Sequence, residues 1–334
     1  MPELSLRYLV DGPPITRRMV TVPAVAGAAG VLASSAWAWG PAALALDLVR
    51  DPGRLPRVRA LTMATAWSWL ETIGIGMSAA LWAVGRGQDI DANYALQRWW
   101  ALRLLDMMRV FANVRLEVSG LDSLAPGPVV LAPRHASIAD ALLPVWLLAQ
   151  HDMRPRYVLK RELLLDPCLD IIGNRVPNHF VVRDADTTEI ELAALREMAA
   201  GMGPRDGAVI YPEGAIANGP RRTAALARLA QRDPVRAERL KPLTRLMPPH
   251  HAGLWAVLAG SPTADVVFVD HTGFEVAGQI SRAPSQIPFQ EPIRVDLRRV
   301  PRAELPTDRA AFKTWLDDAW LELDHHAPPV DERR

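Results

Sequence analysis

The sequence predicts an α/β domain, layered around a largely parallel mixed sheet and preceded by an apolar helical pair. Short β-rich runs alternate with helical ones from residue 115 onward, which is the pattern of a parallel sheet with crossover helices. Basic and acidic residues crowd the ends of several of those runs, where sheets of this class bind ligands. Two long stretches nearly free of charge come first and predict the helical pair. With 334 residues the chain can hold one large domain and an appendage. Residues 1–86 read as membrane-anchoring helical segments. Residues 87–326 read as the α/β domain with an interfacial helix at its start, and 327–334 as a tail.

From residue 20 to 49 the only ionisable side chain is Asp47, and from 60 to 84 it is Glu71. Each stretch exceeds the roughly 20 residues that cross a hydrocarbon core. Trp37, Trp39, Trp67, Trp69 and Trp82 lie within them, as at a membrane interface. Arginines flank both sides, so the charge pattern sets no orientation. A spanning hairpin and a re-entrant pair both fit, and Pro23, Pro41, Gly74 and Gly76 permit broken helices. Residues 89–113, with Trp99-Trp100 and three arginines, predict a helix lying along the membrane surface.

Beyond it, strands are expected over 115–119, 129–132, 157–160, 180–183, 208–211, 266–270 and 293–297. Helices are expected over 138–150, 187–200, 222–231, 253–259 and 308–324, with Pro144 kinking or loosening the first.

His135 and Asp140 follow the second strand. An imidazole titrates near neutrality and can take a proton from an alcohol, and a carboxylate on its other nitrogen fixes the tautomer. On one continuous helix these two side chains would point about 140° apart, so a bend must lie between them. Ser137-Ile-Ala-Asp140 supplies it as a capping box, with Ser137 as N-cap and Asp140 at N3. The bland alternative is a loop histidine beside a capping aspartate. In Ala208-Val-Ile-Tyr-Pro-Glu-Gly214 a strand leads into Glu213, and Gly214 permits a tight turn and close substrate approach. Lys160 and Arg183 end two further strands and point to a ligand crevice.

Composition narrows the rest. Net charge is +1 and the arginines are scattered, which argues against nucleic acid as a partner. The single cysteine, Cys168, has no adjacent histidine and reads as structural. The pairs His250-His251 and His325-His326 lack metal-ligand spacing, so no metal site is expected.

In this order and spacing, the segments resemble the membrane-associated glycerolipid acyltransferases, the lysophosphatidate acyltransferase family. His135 and Asp140 match the family's H-x4-D block. Phe180 and Arg183 match the end of its second block, and Tyr211-Pro212-Glu213-Gly214 its third. Val266 to Asp270 sits where the fourth, apolar block belongs, and Lys160-Arg161-Glu162-Leu163 resembles its lysine-led segment. The likeness runs from about residue 129 to 273. Ile216 departs from it by standing where the family has an arginine that holds the acceptor's phosphate. Pro177 departs where the second block opens with glycine, and the stretch 215–265 is long.

The resemblance implies transfer of a fatty acyl group from acyl-CoA or acyl-carrier protein to the hydroxyl of a lysophospholipid. The leading acceptor is 1-acylglycerol-3-phosphate. It makes His135 the general base and Asp140 its orienting partner, with Lys160, Arg183, Glu213 and Gly214 at the substrate. It implies no cofactor, and a place at the bilayer on the cytoplasmic face of the cytoplasmic membrane. Other readings are a lysolipid acceptor with a different headgroup, hydrolysis of the thioester, and a non-catalytic lipid-binding protein.

Overall fold

The computed structural model describes residues 8–182, 188–277 and 287–326. The expected tail at 327–334, and the ends of the expected elements at Arg183 and Thr187, lie outside them. The chain divides into two compact units. The first comprises Met1–Arg115, Leu159–Arg183 and Ser281–Gln290, and the second Leu116–Val158, Asp184–Ile280 and Glu291–Arg334.

The first unit contains helices α1 (Pro14–Ser34), α2 (Ala36–Arg50), α3 (Pro56–Ala83) and α4 (Ile90–Ala112). The first apolar stretch is broken at Ser35, not at Pro23 or Pro41, which both sit inside helices. Val31 O accepts both the Ser35 N–H at 3.0 Å and Ser35 Oγ at 2.6 Å, and Trp39 Nε1 donates to Leu32 O at 2.8 Å, so carbonyls at the break keep partners. No single described helix is long and apolar enough to cross a membrane, and α1 and α2 pass that test only together, bent by 68°. This corrects the expectation that each apolar stretch could span alone.

Helix α3 is inside-out. It buries Ser68, Glu71, Gly74 and Ser78 while Trp69, Ile73, Met77 and Trp82 face outward. Glu71 accepts hydrogen bonds from Trp100 Nε1 at 2.8 Å and from the backbone N–H of Cys168, on α6 (Pro167–Gly173), at 3.2 Å. Gly74 is required there, because a Cβ would lie 2.5 Å from Cys168 Sγ. Arg17 and Arg18 of α1 both bond Asp170 of α6, at 2.9 and 3.0 Å. A buried carboxylate with two guanidinium partners is matched in charge and in hydrogen bonds.

Seven strands form one mixed, mostly parallel sheet in the order β1-β7-β6-β2-β5-β3-β4. They are β1 (Leu116–Ser119), β2 (Val129–Pro133), β3 (Arg154–Lys160), β4 (His179–Val181), β5 (Asp206–Val209), β6 (Asp265–Thr272) and β7 (Ile293–Val300). Only β6 and β7 pair antiparallel among the registers described.

The second unit adds α5 (Leu143–Ala149), α7 (Thr188–Ala199), α8 (Gly219–Arg232), α9 (Pro234–Leu240), α10 (His251–Gly260) and α11 (Arg309–His326). Its core joins Val130, Ala208, Val266 and Phe268 of the sheet to Leu195, Leu254, Phe312 and Trp320 of the helices. All five residues of β2 are buried, as the continuous apolar run requires of a central strand. The helix expected over 138–150 instead opens as a 3₁₀ turn, Ala139–Leu142, before α5 begins. Pro144 thus lies in the first turn of α5, where its missing N–H costs nothing.

Candidate active site

Strand register builds the site. The parallel pairing of β2 with β6 matches Pro133 to Val269, and continuing it two residues sets His135 opposite His271. The pairing of β2 with β5 matches Leu131 to Val209, and its continuation sets His135 opposite Glu213. Three chemically active side chains therefore leave the carboxyl ends of adjacent parallel strands, where such sheets expose their ligand crevice.

His135 Nδ1 lies 2.8 Å from Asp140 Oδ1. The bend that permits this differs from the expected capping box: the 3₁₀ turn starts after Ile138, not Ser137, and only the Asp140 half of the box forms, with its Oδ2 accepting the N–H groups of Ala136 at 2.6 Å and Ser137 at 2.8 Å. Ser137 Oγ in turn accepts from Ala139 N–H at 3.0 Å. Burial alone would raise the Asp140 carboxyl, but the hydrogen bonds and charges of His135 and His271 hold it well below the usual carboxylate range. Asp140 is thus an ionised, immobile acceptor. The His135 side chain keeps 13% of its exposure, and no described residue bonds its Nε2. That nitrogen is available to a substrate hydroxyl.

Glu213 is buried and acts on the backbone. Its Oε1 accepts the His135 N–H at 2.7 Å and its Oε2 the Met247 N–H at 2.9 Å. Burial pushes its carboxyl up to about 7, against the pull of the Met247 N–H, the Arg134 charge and the His135 N–H. Gly214 adopts φ 65°, the left-handed conformation that glycine takes without strain. The loop beyond it returns to the site, since Ala217 N–H donates to His135 O at 2.7 Å. The Tyr211 ring lies 4.6 Å from that of His135, and its hydroxyl donates to Asp140 O at 3.2 Å. Burial pushes that hydroxyl's pKa upward, so it stays a neutral donor.

His271 and Arg134 escape a reading of motifs. His271 Nε2 lies 3.2 Å from Arg134 O and 3.5 Å from Asp140 Oδ2. Arg134 Nη1 donates to His271 O and to Glu275 Oε1, both at 2.6 Å. The signal for His271 is its place at the end of an apolar strand, the same arrangement that draws attention to His135. Arg245 is also buried, and its three guanidinium nitrogens have no hydrogen-bond partner among the described residues. Its backbone is fixed, with the N–H groups of Thr244, Arg245 and Leu246 all bonded to Asp324.

Of the expected substrate residues, Glu213 and Gly214 join His135 and Asp140 in the second unit. Lys160, the last residue of β3, belongs to the first unit, and Arg183 lies outside the described residues. Among the described residues, no group of three His, Cys, Asp or Glu side chains is placed to hold a metal ion.

Residues 115–266 match the model of the family described as Acyltransferase. This segment is an acyltransferase-family domain. It covers β1, β2, α5, β3, α6, β4, α7, β5, α8, α9 and α10 and the start of β6, with His135, Asp140, Glu213 and Gly214, and it stops before His271. The acyltransferase domain supports acyl transfer as the general reaction. No curated protein and no solved structure matches the chain at a significant level.

Proposed function

We propose that the protein moves a fatty acyl group from acyl-CoA or acyl-carrier protein to the hydroxyl of a lysophospholipid, with 1-acylglycerol-3-phosphate as the leading acceptor. The observation that carries this reading is the His135 Nδ1 to Asp140 Oδ1 contact at 2.8 Å, with Nε2 left open. In this mechanism Nε2 takes the proton from the acceptor hydroxyl, and the oxygen attacks the thioester carbonyl. The tetrahedral adduct collapses with cleavage of the C–S bond, and the imidazolium returns its proton to the departing thiolate. Asp140 keeps the Nδ1–H tautomer and stabilises the transient imidazolium. A base positioned this way contributes about 10²–10⁴-fold.

The acceptor's chain stays in a bilayer, and the exposed apolar side chains of the first unit support attachment there; the cytoplasmic face of the cytoplasmic membrane is part of the proposal. Its exposed apolar side chains include Trp37 at 81% and Trp82 at 73%, while α3 turns its polar residues inward. Holding the site at the interface avoids extracting the lipid, at about 0.8 kcal/mol per CH₂.

Ile216, in place of an arginine, favours a second reading in which the acceptor carries another headgroup, a lysophosphodiester or an aminolipid. One experiment tests both. Protein in vesicles is given labelled acyl-CoA with a mixture of lysolipids, and the products are identified by mass spectrometry. Acylated lysophosphatidate is expected, lost in His135→Ala. Acylation of another lysolipid alone would move the assignment to that acceptor, and thiol release without any lysolipid would mark a hydrolase. Full activity in His135→Ala would remove the mechanism.

A further inference from the structure

Helix α8, Gly219–Arg232, carries Arg221, Arg222, Arg228 and Arg232 and no acidic residue, and none of its residues is buried. Positions 221, 228 and 232 fall within about 40° of one another around the axis and span about 16 Å along it. They form one basic stripe on the outer face, while Leu226 and Leu229 turn toward the core.

The charge on this stripe is not neutralised locally. Arg228 and Arg232 make neither a hydrogen bond nor an ion pair with any described residue, and both are exposed. The neighbouring cations behave differently. Arg236 pairs with Asp317 at 2.7 Å, Arg239 pairs with Asp318, and Lys313 pairs with Asp233 at 2.9 Å. Acidic residues of α11 thus serve Arg236 and Arg239 of α9, while Arg228 and Arg232 of α8 have no such partner among the described residues.

Its position ties the stripe to the chemistry. Ala217 donates to His135 O at 2.7 Å, and Asn218, the next residue, caps α8 by accepting the Arg221 N–H at 2.9 Å. The helix therefore starts at a loop bonded directly to the residue before Ala136. A macromolecule seated along α8 would have the N-terminal end of its dock one loop away from His135.

We propose that α8 docks an acidic carrier protein that brings the acyl thioester, an inference that rests on the acyl-transfer reading. Opposite charge on the two surfaces would steer the encounter and fix its register. A lipid surface is the less suitable occupant. The exposed residues among the arginines are Thr223, Ala224, Ala227, Ala230 and Gln231, and none has a long apolar side chain to enter a bilayer.

The test compares two donors of the same acyl chain, acyl-carrier protein and acyl-CoA, with the full chain and one acceptor. Arg221 is left intact because its Nη1 bonds Ile216 O at 3.1 Å and so shapes the loop beside His135. In Arg228→Glu with Arg232→Glu, KM for acyl-carrier protein should rise about tenfold at low salt, with kcat unchanged. The gap should close as salt is raised. Kinetics with acyl-CoA should not move. An unchanged KM for the carrier protein, or an equal rise with acyl-CoA, would overturn the docking surface alone. So would loss of binding to phosphatidylglycerol vesicles with the carrier-protein KM preserved. Transfer from neither donor by the unaltered protein would overturn the acyl-transfer reading itself.

Discussion

His271 Nε2 lies 3.5 Å from Asp140 Oδ2, the oxygen that His135 does not use. Asp140 thus stands between two imidazoles brought together by the β2–β6 register, and His271 also reaches Arg134 O, the carbonyl just before His135. One N–H faces both the Asp140 carboxylate and the backbone carbonyl that precedes His135.

His271→Leu removes that N–H and is expected to lower kcat about tenfold with little change in KM, the sign of an interaction acting on the chemical step. His271→Gln keeps an amide donor of similar reach and should recover most of the rate. Steady-state kinetics of the two variants decide it. Equal rates in Leu and wild type would leave His271 a packing residue.

Asp140→Asn should reduce kcat by about 10²–10⁴-fold, because a neutral amide neither enforces the tautomer nor stabilises the imidazolium. A pH effect accompanies it. The folded-state pKa of Asp140 is depressed from its ordinary 3.8, so its contribution to stability is complete above that value and is lost as pH falls toward the folded-state value. Urea denaturation between pH 6 and pH 3 should show the wild type's advantage over Asp140→Asn constant at first and shrinking below about pH 4.

Glu213→Gln turns an N–H₂ group toward one of two backbone N–H donors, at His135 or at Met247. Above about pH 7, where Glu213 is ionised, one charge-assisted bond is lost, at about 1.5–3 kcal/mol, and the difference shrinks at lower pH as the carboxyl is protonated. A lower unfolding midpoint and a reduced kcat are expected together, since the same bond positions His135. A variant with full stability would show that the two N–H groups are satisfied some other way.

Gly214→Ala forces an L side chain into φ 65° and should cost about 1–2 kcal/mol. The strain falls in the loop that returns to His135 through Ala217. Thermal denaturation and initial rates should both fall.

Arg245→Met should be neutral or stabilising by about 1 kcal/mol, because it replaces a buried guanidinium lacking hydrogen-bond partners with an apolar chain of similar length. Differential scanning calorimetry measures this directly. A large loss of stability would mean that its attraction to Asp270, Glu275 and Asp324 outweighs its desolvation.

The His135–Asp140 contact was legible because its geometry is local. Asp140 folds the chain back on the N–H groups of Ala136 and Ser137, within four residues, and that turn brings His135 onto the carboxylate, although Ile138 and not Ser137 is the N-cap. The α/β alternation was equally legible, since strand and helix periods are written along the chain. Less legible was the break in the first apolar stretch. Prolines drew attention to positions 23 and 41, whereas Ser35 and Trp39 supply the bonds that accommodate it at the helix junction. The short helices α6 and α9 also escaped, because seven residues hold too few turns for a periodic signal.

By itself, the amino-acid order determined the alternating strands and helices, the charge-poor N-terminal third, and the His135–Asp140 turn, all of which depend on neighbours within a few positions. Tertiary structure decided that Glu213 accepts the backbone N–H groups of His135 and Met247, that His271 backs Asp140, and that the Arg245 guanidinium is buried with no hydrogen-bond partner among the described residues. Those outcomes depend on which strands lie side by side and in what register. The register of β2 against β5 and β6 is set by packing between segments more than 70 residues apart, and no local pattern records it.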